Sequence, residues 1–152
     1  MKLRFFAGFW LVAILCGCLP AYAVEGNKGT AKFEVQLLWG TDLEKSPDAK
    51  HKPVEADVDK KLKSLPLRFK NYFLVNKQAV DIATSETKKV PISEKCEVEL
   101  QSIDSLKYTA TFYGKGKQTA KRTQTFPLGE MLVHGGNAPG SNAWLVVVKR
   151  VK

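Results

Sequence analysis

Apolar and polar side chains alternate with a period of two residues along most of the chain after residue 30, which is the pattern of β-strands with one buried face. In the first such segment, Phe33, Val35, Leu37 and Trp39 share one face. The segments predicted in this way are 33–39, 69–75, 80–82, 90–92, 96–101, 106–112, 117–126, 131–133 and 144–148. Because some of them are very short, we expect about eight short strands.

Some segments also indicate their place in a sheet. Segment 69–75 is apolar on both faces, which predicts a central strand, and 144–148 is a continuous apolar run typical of a buried strand. Segment 117–126 is polar and rich in threonine, which suits an edge strand. Residues 135–139 contain Gly, Asn and Pro and predict a turn between the last two strands.

Residues 56–65 predict the only helix. Val58 and Leu62 recur at helical spacing, Asp57 can cap the first turn, and Pro66 ends the helix. Before it, residues 40–55 are polar, with six charged side chains between positions 42 and 52. They predict a long exposed loop within the domain, because the single strand before them cannot fold alone.

Many short strands and one short helix predict an all-β fold, an antiparallel β-sandwich or open barrel. We assign residues 31–152 to this single domain and residues 24–30 to a flexible N-terminus.

The first 23 residues have the order of features found in a signal peptide. Two basic residues precede an apolar stretch at 5–19, and Ala21 and Ala23 supply the small side chains of a cleavage site. The apolar stretch is shorter than the roughly 20 residues that a membrane-spanning helix needs. We therefore expect export to the periplasm or the cell exterior after cleavage near Ala23. A lipoprotein acylated at Cys18 is the alternative.

The leader changes the meaning of the composition. The whole chain has 152 residues, 44% hydrophobic residues and a formal charge of +9, whereas residues 24–152 carry 22 Lys and Arg against 15 Asp and Glu, a formal +7. A chain of this size excludes a multidomain enzyme, and its aromatic and branched apolar residues exclude a disordered protein.

Cleavage of the leader would leave Cys96 as the only cysteine, so no intramolecular disulfide is possible. Cys96 shares a strand face with Val98 and Leu100, which predicts a buried, small apolar side chain. A free, reactive thiol or an intermolecular disulfide at Cys96 is the alternative.

Few residues are available for catalysis. His51 lies in the charged loop, and His134 has no accompanying nucleophile motif. Glu97 and Glu99 lie about 7 Å apart along one strand, a separation that a glycosidase can use, but an exposed strand face is the favoured explanation. No zinc, calcium or nucleotide-binding pattern is found. We predict no catalytic residue, metal site or cofactor, and a small hydrolase remains a less favoured alternative.

Basic residues cluster on one predicted hairpin, at Lys115, Lys117, Lys121 and Arg122. Solubility and protection of an edge strand from aggregation are the favoured explanation of these charges, and contact with an anionic polymer or surface is the alternative. Nucleic acid is an unfavoured partner because the protein is expected to be exported and no aromatic residues are interleaved with these cations.

A carbohydrate-binding module would need exposed aromatic side chains. The candidates are Trp39, Tyr72, Tyr113 and Trp144. Trp39 and Trp144 lie in apolar strands, so we expect them in the core.

Segments 35–41, 70–73, 129–133 and 142–147 together resemble an uncharacterised family of small secreted bacterial proteins, in which a leader precedes one β-rich domain. The resemblance covers nearly the whole domain, but its motifs are structural. It therefore implies a fold and secretion, and no activity, cofactor or site residue.

These observations favour an exported, non-enzymatic β-sandwich that binds or packs against an envelope or extracellular component. A module that binds carbohydrate or an anionic polymer is the alternative. We expect no transmembrane helix after the leader.

Overall fold

Nine strands and one helix make up the computed structural model, which describes residues 29–152. The elements are β1 (Thr30–Thr41), β2 (Lys52–Pro53), α1 (Ala56–Ser64), β3 (Asn71–Ala83), β4 (Thr87–Ser93), β5 (Cys96–Ser102), β6 (Lys107–Gly114), β7 (Lys117–Thr125), β8 (Met131–Ala138) and β9 (Asn142–Arg150). The predicted leader, with Cys18 and the cleavage site, lies outside the described residues.

The strands form two antiparallel sheets. The first sheet has the order β2–β3–β1–β9–β8 and the second has the order β4–β5–β6–β7. This architecture confirms the predicted all-β fold with one short helix. The Thr-rich strand β7 is at an edge of the second sheet, as its polarity predicts.

The main core lies between the two sheets, where the alternating apolar residues of β1 meet those of the second sheet. Phe33 and Val35 are fully buried there. The ring of Phe33 packs edge-on against Tyr108 and Phe126, with centroids 4.8 and 5.6 Å apart. The apolar face that the period-two pattern of β1 predicts is therefore buried in the structure.

A second core lies between α1 and the other face of the first sheet. Val58 and Leu62 of α1 are fully buried against Leu38, Leu145 and Val147. Because β9 is covered on both faces, its sequence is continuously apolar, as predicted for a buried strand.

The start of α1 differs from the prediction. The N-cap residue is Glu55, which makes no side-chain capping bond, so the predicted cap by Asp57 is wrong. The Asp57 carboxylate instead accepts a hydrogen bond from the Val58 N–H, 2.9 Å away, and another from Lys149.

Strand β3 lies inside the first sheet, between β2 and β1, as predicted for segment 69–75, but it is longer and less regular than expected. Segments 69–75 and 80–82 belong to one strand, interrupted by a bulge at Val75. The bulge reverses the alternation, so that Tyr72 packs in the core beneath α1 whereas Ile82 packs between the sheets. Segment 69–75 is apolar on both faces because Tyr72 and Leu74 pack beneath α1 whereas Phe73 faces the other side of the sheet, opposite Trp39.

The predicted turn at 135–139 is largely strand. Gly135, Gly136 and Asn137 pair with β9, and the turn follows at 139–141. A Cβ on Gly136 would lie 2.5 Å from Cζ2 of Trp144, so the glycine is needed for close packing.

The predicted loop at 40–55 is shorter in the structure. Gly40 and Thr41 belong to β1, and Lys52–Pro53 pairs with β3 as strand β2. Thr30, which we assigned to the flexible N-terminus, pairs with Ala83.

The strand directions define two ends of the sandwich. The N-terminal end carries Gly29, the turns 84–86 and 103–106, the 126–130 connection and the last two residues. The opposite end carries the loop 42–51 and the turns 94–95, 115–116 and 139–141.

Candidate ligand-binding surface

The predicted basic cluster on the β6–β7 hairpin does not form one surface. Lys121 pairs with Thr111 on the outer face of the second sheet, whereas Arg122 pairs with Ala110 on the face that meets the core. Lys115 lies in the turn and Lys117 opens β7. Alternation along a strand separates neighbouring residues, so proximity in sequence does not bring these cations together.

Three lysines nevertheless gather at the turns of the opposite end. The N–H of Lys115 donates a hydrogen bond to the carbonyl of Lys95 at 2.7 Å, which ties the turn at 115–116 to the turn at 94–95. Lys117 follows directly and is exposed. This end of the second sheet is therefore basic, and we call Lys95, Lys115 and Lys117 the basic edge.

An aromatic row crosses the first sheet at the same end. Phe73 of β3 lies opposite Trp39 of β1, and Trp39 lies opposite Trp144 of β9. We call Phe73, Trp39 and Trp144 the aromatic row. All three side chains are half-buried and lie on the face that turns toward the second sheet, beyond the fully buried part of the core. The expectation that both tryptophans belong to the core is therefore only partly met.

Close packing fixes the outer member of the row. The Trp144 ring occupies the space above Gly136, and the ring of His134 packs against it with centroids 5.7 Å apart. His134 in turn packs on Phe112, 4.7 Å away, so the second sheet supports the row through this imidazole. A supported aromatic ring keeps its orientation before a ligand arrives.

Trp39 has an unpaired polar group. Its indole Nε1–H is buried and has no hydrogen-bond partner among the described residues. A buried donor without a partner costs about 1–3 kcal/mol. The amide of Gln36 is also buried without a hydrogen-bond partner among the described residues, so this state is not confined to the row.

The structure does not bring the candidate catalytic residues together. Glu97 and Glu99 are on the outer face of the second sheet, where Glu97 lies 3.4 Å from the Lys89 ammonium. His134 packs at the margin of the inner face, and burial together with the nearby Arg122 lowers the pKa of its imidazole. His51 contacts Ser46 in the exposed loop at 2.6 Å.

Cys96 is half-buried and packs at the edge of the main core, close to the predicted buried position. Burial raises the pKa of its thiol. Less of the reactive thiolate is therefore present at neutral pH.

An ion-pair network covers the start of α1. Lys77 of β3 contacts Glu34 and Glu55 at 3.1 and 2.6 Å, and Lys149 of β9 contacts Glu55 and Asp57. The hydrogen bonds from the two lysines lower the pKa values of Glu55 and Asp57. The network fastens the helix to the first sheet and lies away from the aromatic row.

The ion-pair network predicts a loss of stability in acid. Because the pKa values of Glu55 and Asp57 are lowered by folding, these carboxylates stabilise the fold above their ordinary values of about 4.3 and 3.9. That contribution is lost as the pH falls below those values toward the pKa values of the folded state. We expect Glu55→Gln/Asp57→Asn to lose about 1 kcal/mol at neutral pH, as exposed ion pairs do.

The measurement is urea unfolding of wild type and variant at several pH values. The difference in unfolding free energy should shrink between pH 5 and pH 3. The double variant Glu44→Gln/Glu94→Gln is the control and should follow the wild type. A constant difference at every pH would contradict the assigned role of the network.

The sequence does not reveal Phe73 as a member of the row, or Gly136 as the residue beneath Trp144. Phe73 is placed beside Trp39 only by the β1–β3 register, and the sequence around Gly136 predicts a turn. The single available signal was the apolar character of both faces of segment 69–75.

No family model, curated protein or solved structure matches the chain. The resemblance to small secreted bacterial proteins therefore stays a prediction. Among residues 29–152, no helix is long and apolar enough to cross a bilayer. The same residues contain no group of three or more side chains placed to bind a metal ion.

Proposed function

We propose that the protein is an exported, non-enzymatic binding domain that holds an anionic polysaccharide of the cell envelope or its surroundings on the aromatic row. The observation that carries this proposal is the alignment of Phe73, Trp39 and Trp144, three half-buried side chains on neighbouring strands that face the same side of the first sheet. Export rests on the sequence of the leader.

A saccharide fits the chemistry of the row. An aromatic side chain offers an apolar face to the C–H groups of a sugar ring. Opposed residues on adjacent strands are about 5 Å apart. The row therefore offers a continuous apolar strip that an extended chain of sugar rings can follow.

The basic edge favours an anionic chain over a neutral one. Lys95, Lys115 and Lys117 lie at the same end of the sandwich as the row. Clustered positive charge raises the local concentration of a polyanion and speeds its association, and the effect weakens with salt. Carboxylates on the polymer would supply the complementary charge.

Titration with polygalacturonate, and with neutral dextran as comparison, tests this proposal through the fluorescence of the protein's own tryptophans. We expect saturable binding of polygalacturonate that weakens with salt, and at least tenfold weaker binding of dextran. Trp39→Ala should weaken binding of polygalacturonate at least tenfold, because it removes the central ring of the row. Circular dichroism would establish that the variant is folded.

Charge reversal tests whether binding depends on the lysines of the basic edge or only on the net charge of the protein. We expect Lys115→Glu/Lys117→Glu to weaken binding about tenfold at low salt. The control Lys60→Glu/Lys121→Glu has the same net charge but changes exposed residues on the helix and on the outer face of the second sheet. Equal loss in both double variants, or no binding of polygalacturonate by the wild type, would refute the proposal.

A further inference from the structure

Three large aliphatic side chains are exposed at the N-terminal end of the sandwich. Ile103, Leu106 and Leu128 are 46, 48 and 72% exposed, whereas most apolar side chains of this size in residues 29–152 are buried or half-buried. We call Ile103, Leu106 and Leu128 the aliphatic tips. They belong to two turns that adjoin each other, because the N–H of Phe126 donates to the carbonyl of Leu106 at 2.7 Å.

The turns that carry the tips are held in place. Arg150 donates hydrogen bonds to the carbonyls of Ser105 and Phe126, at 3.1 and 2.8 Å, and so joins the two turns. The Asp104 carboxylate accepts the N–H groups of Leu106 and Lys107 at 2.8 and 2.7 Å. The exposure of the tips is therefore built into an ordered structure.

The aliphatic tips lie at the end of the domain that the leader segment joins. β1 begins at Thr30, and the Thr84 hydroxyl donates to the carbonyl of Gly29, so the preceding residues join the domain at this same end. Nine residues separate Gly29 from the apolar stretch 5–19, so the two are at most about 35 Å apart. Any membrane that holds this stretch, during export or after acylation of Cys18, is within that distance of the N-terminal end. The opposite end lies farther away by the length of β1, about 40 Å.

We propose that the aliphatic tips insert into the interface of a phospholipid bilayer and orient the domain with its N-terminal end on the membrane. Apolar side chains at the tips of ordered turns bury their surface among the acyl chains while the sandwich stays in water. The exposed Lys107 and Lys152 at this end can contact lipid phosphates. This inference goes beyond the polysaccharide proposal, and it places the aromatic row at the end that points away from the membrane.

The experiment uses residues 24–152, so that the apolar leader cannot itself bind lipid. Both sheets and both cores of the described part of the chain lie within residues 30–150, so residues 24–152 retain them. We expect it to co-sediment with vesicles of phosphatidylcholine and phosphatidylglycerol, and more weakly with vesicles of phosphatidylcholine alone. Leu106→Ser/Leu128→Ser should reduce the partition coefficient at least tenfold. The control Leu43→Ser, a substitution of a residue that is 59% exposed at the opposite end, should leave it unchanged.

Orientation is measured by quenching with brominated lipid. Leu128→Trp should be quenched, whereas Leu43→Trp and the native Trp39 and Trp144 should not. Equal quenching of the two introduced tryptophans would overturn the proposed orientation. Failure of the wild type to sediment, or equal losses in the tip and control variants, would overturn the membrane contact itself. Neither outcome bears on polysaccharide binding, which is measured without lipid.

Discussion

Phe33→Ala is expected to destabilise the domain by about 3–5 kcal/mol, the cost of emptying a large aromatic site in a protein core. Phe33 is fully buried and packs edge-on between Tyr108 of β6 and Phe126. It therefore joins the central strand of the first sheet to the second sheet. Because a small domain has only about 5–15 kcal/mol of net stability, this loss would leave it close to unfolding. Urea unfolding followed by circular dichroism measures the change.

Phe73→Ala is the matched comparison for this prediction. Phe73 is also a strand phenylalanine of the first sheet, but it is half-buried in the aromatic row. We expect it to cost less than half as much as Phe33→Ala, because part of the side chain is already in contact with water. If the two substitutions cost the same, the row would belong to the core and could not offer a free surface to a saccharide.

The strands were predictable wherever one regular face is buried. The alternation in β1 and in β5 corresponds to side chains that meet in the main core, such as Phe33, Val35 and Val98. Leu106 has the same spacing as its neighbours in β6 but lies in the preceding turn, exposed. Periodicity locates the strand, whereas its first and last residues depend on where the partner strand begins and ends.

The change of faces within β3 and the presence of β2 were not predictable from the sequence. The bulge at Val75 changes which face each residue occupies, and nothing in the local sequence marks a bulge without a glycine. Strand β2 has only two residues, one of them a proline, so it carries no periodic signal. The glycines of β8 misled the turn prediction because they are required by the Leu145 and Trp144 side chains that lie over them.

The candidate site was less predictable than the fold. Trp39 and Trp144 are more than one hundred residues apart in sequence and become neighbours only through the pairing of β1 with β9. The basic hairpin could be identified from composition, but alternation sends Lys121 and Arg122 to different faces. Which side chains share a surface depends on the pairing register of the strands, whereas the pattern along the sequence describes one strand at a time.

Deletion of Val75 tests this dependence on register directly, and we expect a loss of about 3 kcal/mol or more. Val75 is the extra residue between Leu74, which pairs with Leu38, and Asn76, which pairs with Leu37. Without it, a regular ladder would turn residues 71–74 over. Tyr72 and Leu74 would leave the core beneath α1, and burial of each such side chain is worth about 1.5–3 kcal/mol.

The deletion also predicts a local effect and a functional one. The amides of α1 should exchange faster with solvent, because the helix loses contacts with the sheet below it. Phe73 would leave the aromatic row, so binding of polygalacturonate should weaken along with stability. Val75→Ser retains the bulge and changes only a side chain that is 38% exposed, so it should alter stability by less than about 0.5 kcal/mol. Wild-type stability in the deletion variant would show that β3 can change its register without loss of unfolding free energy. In that case the reversal of faces at Val75 would not be what holds the helix on the sheet.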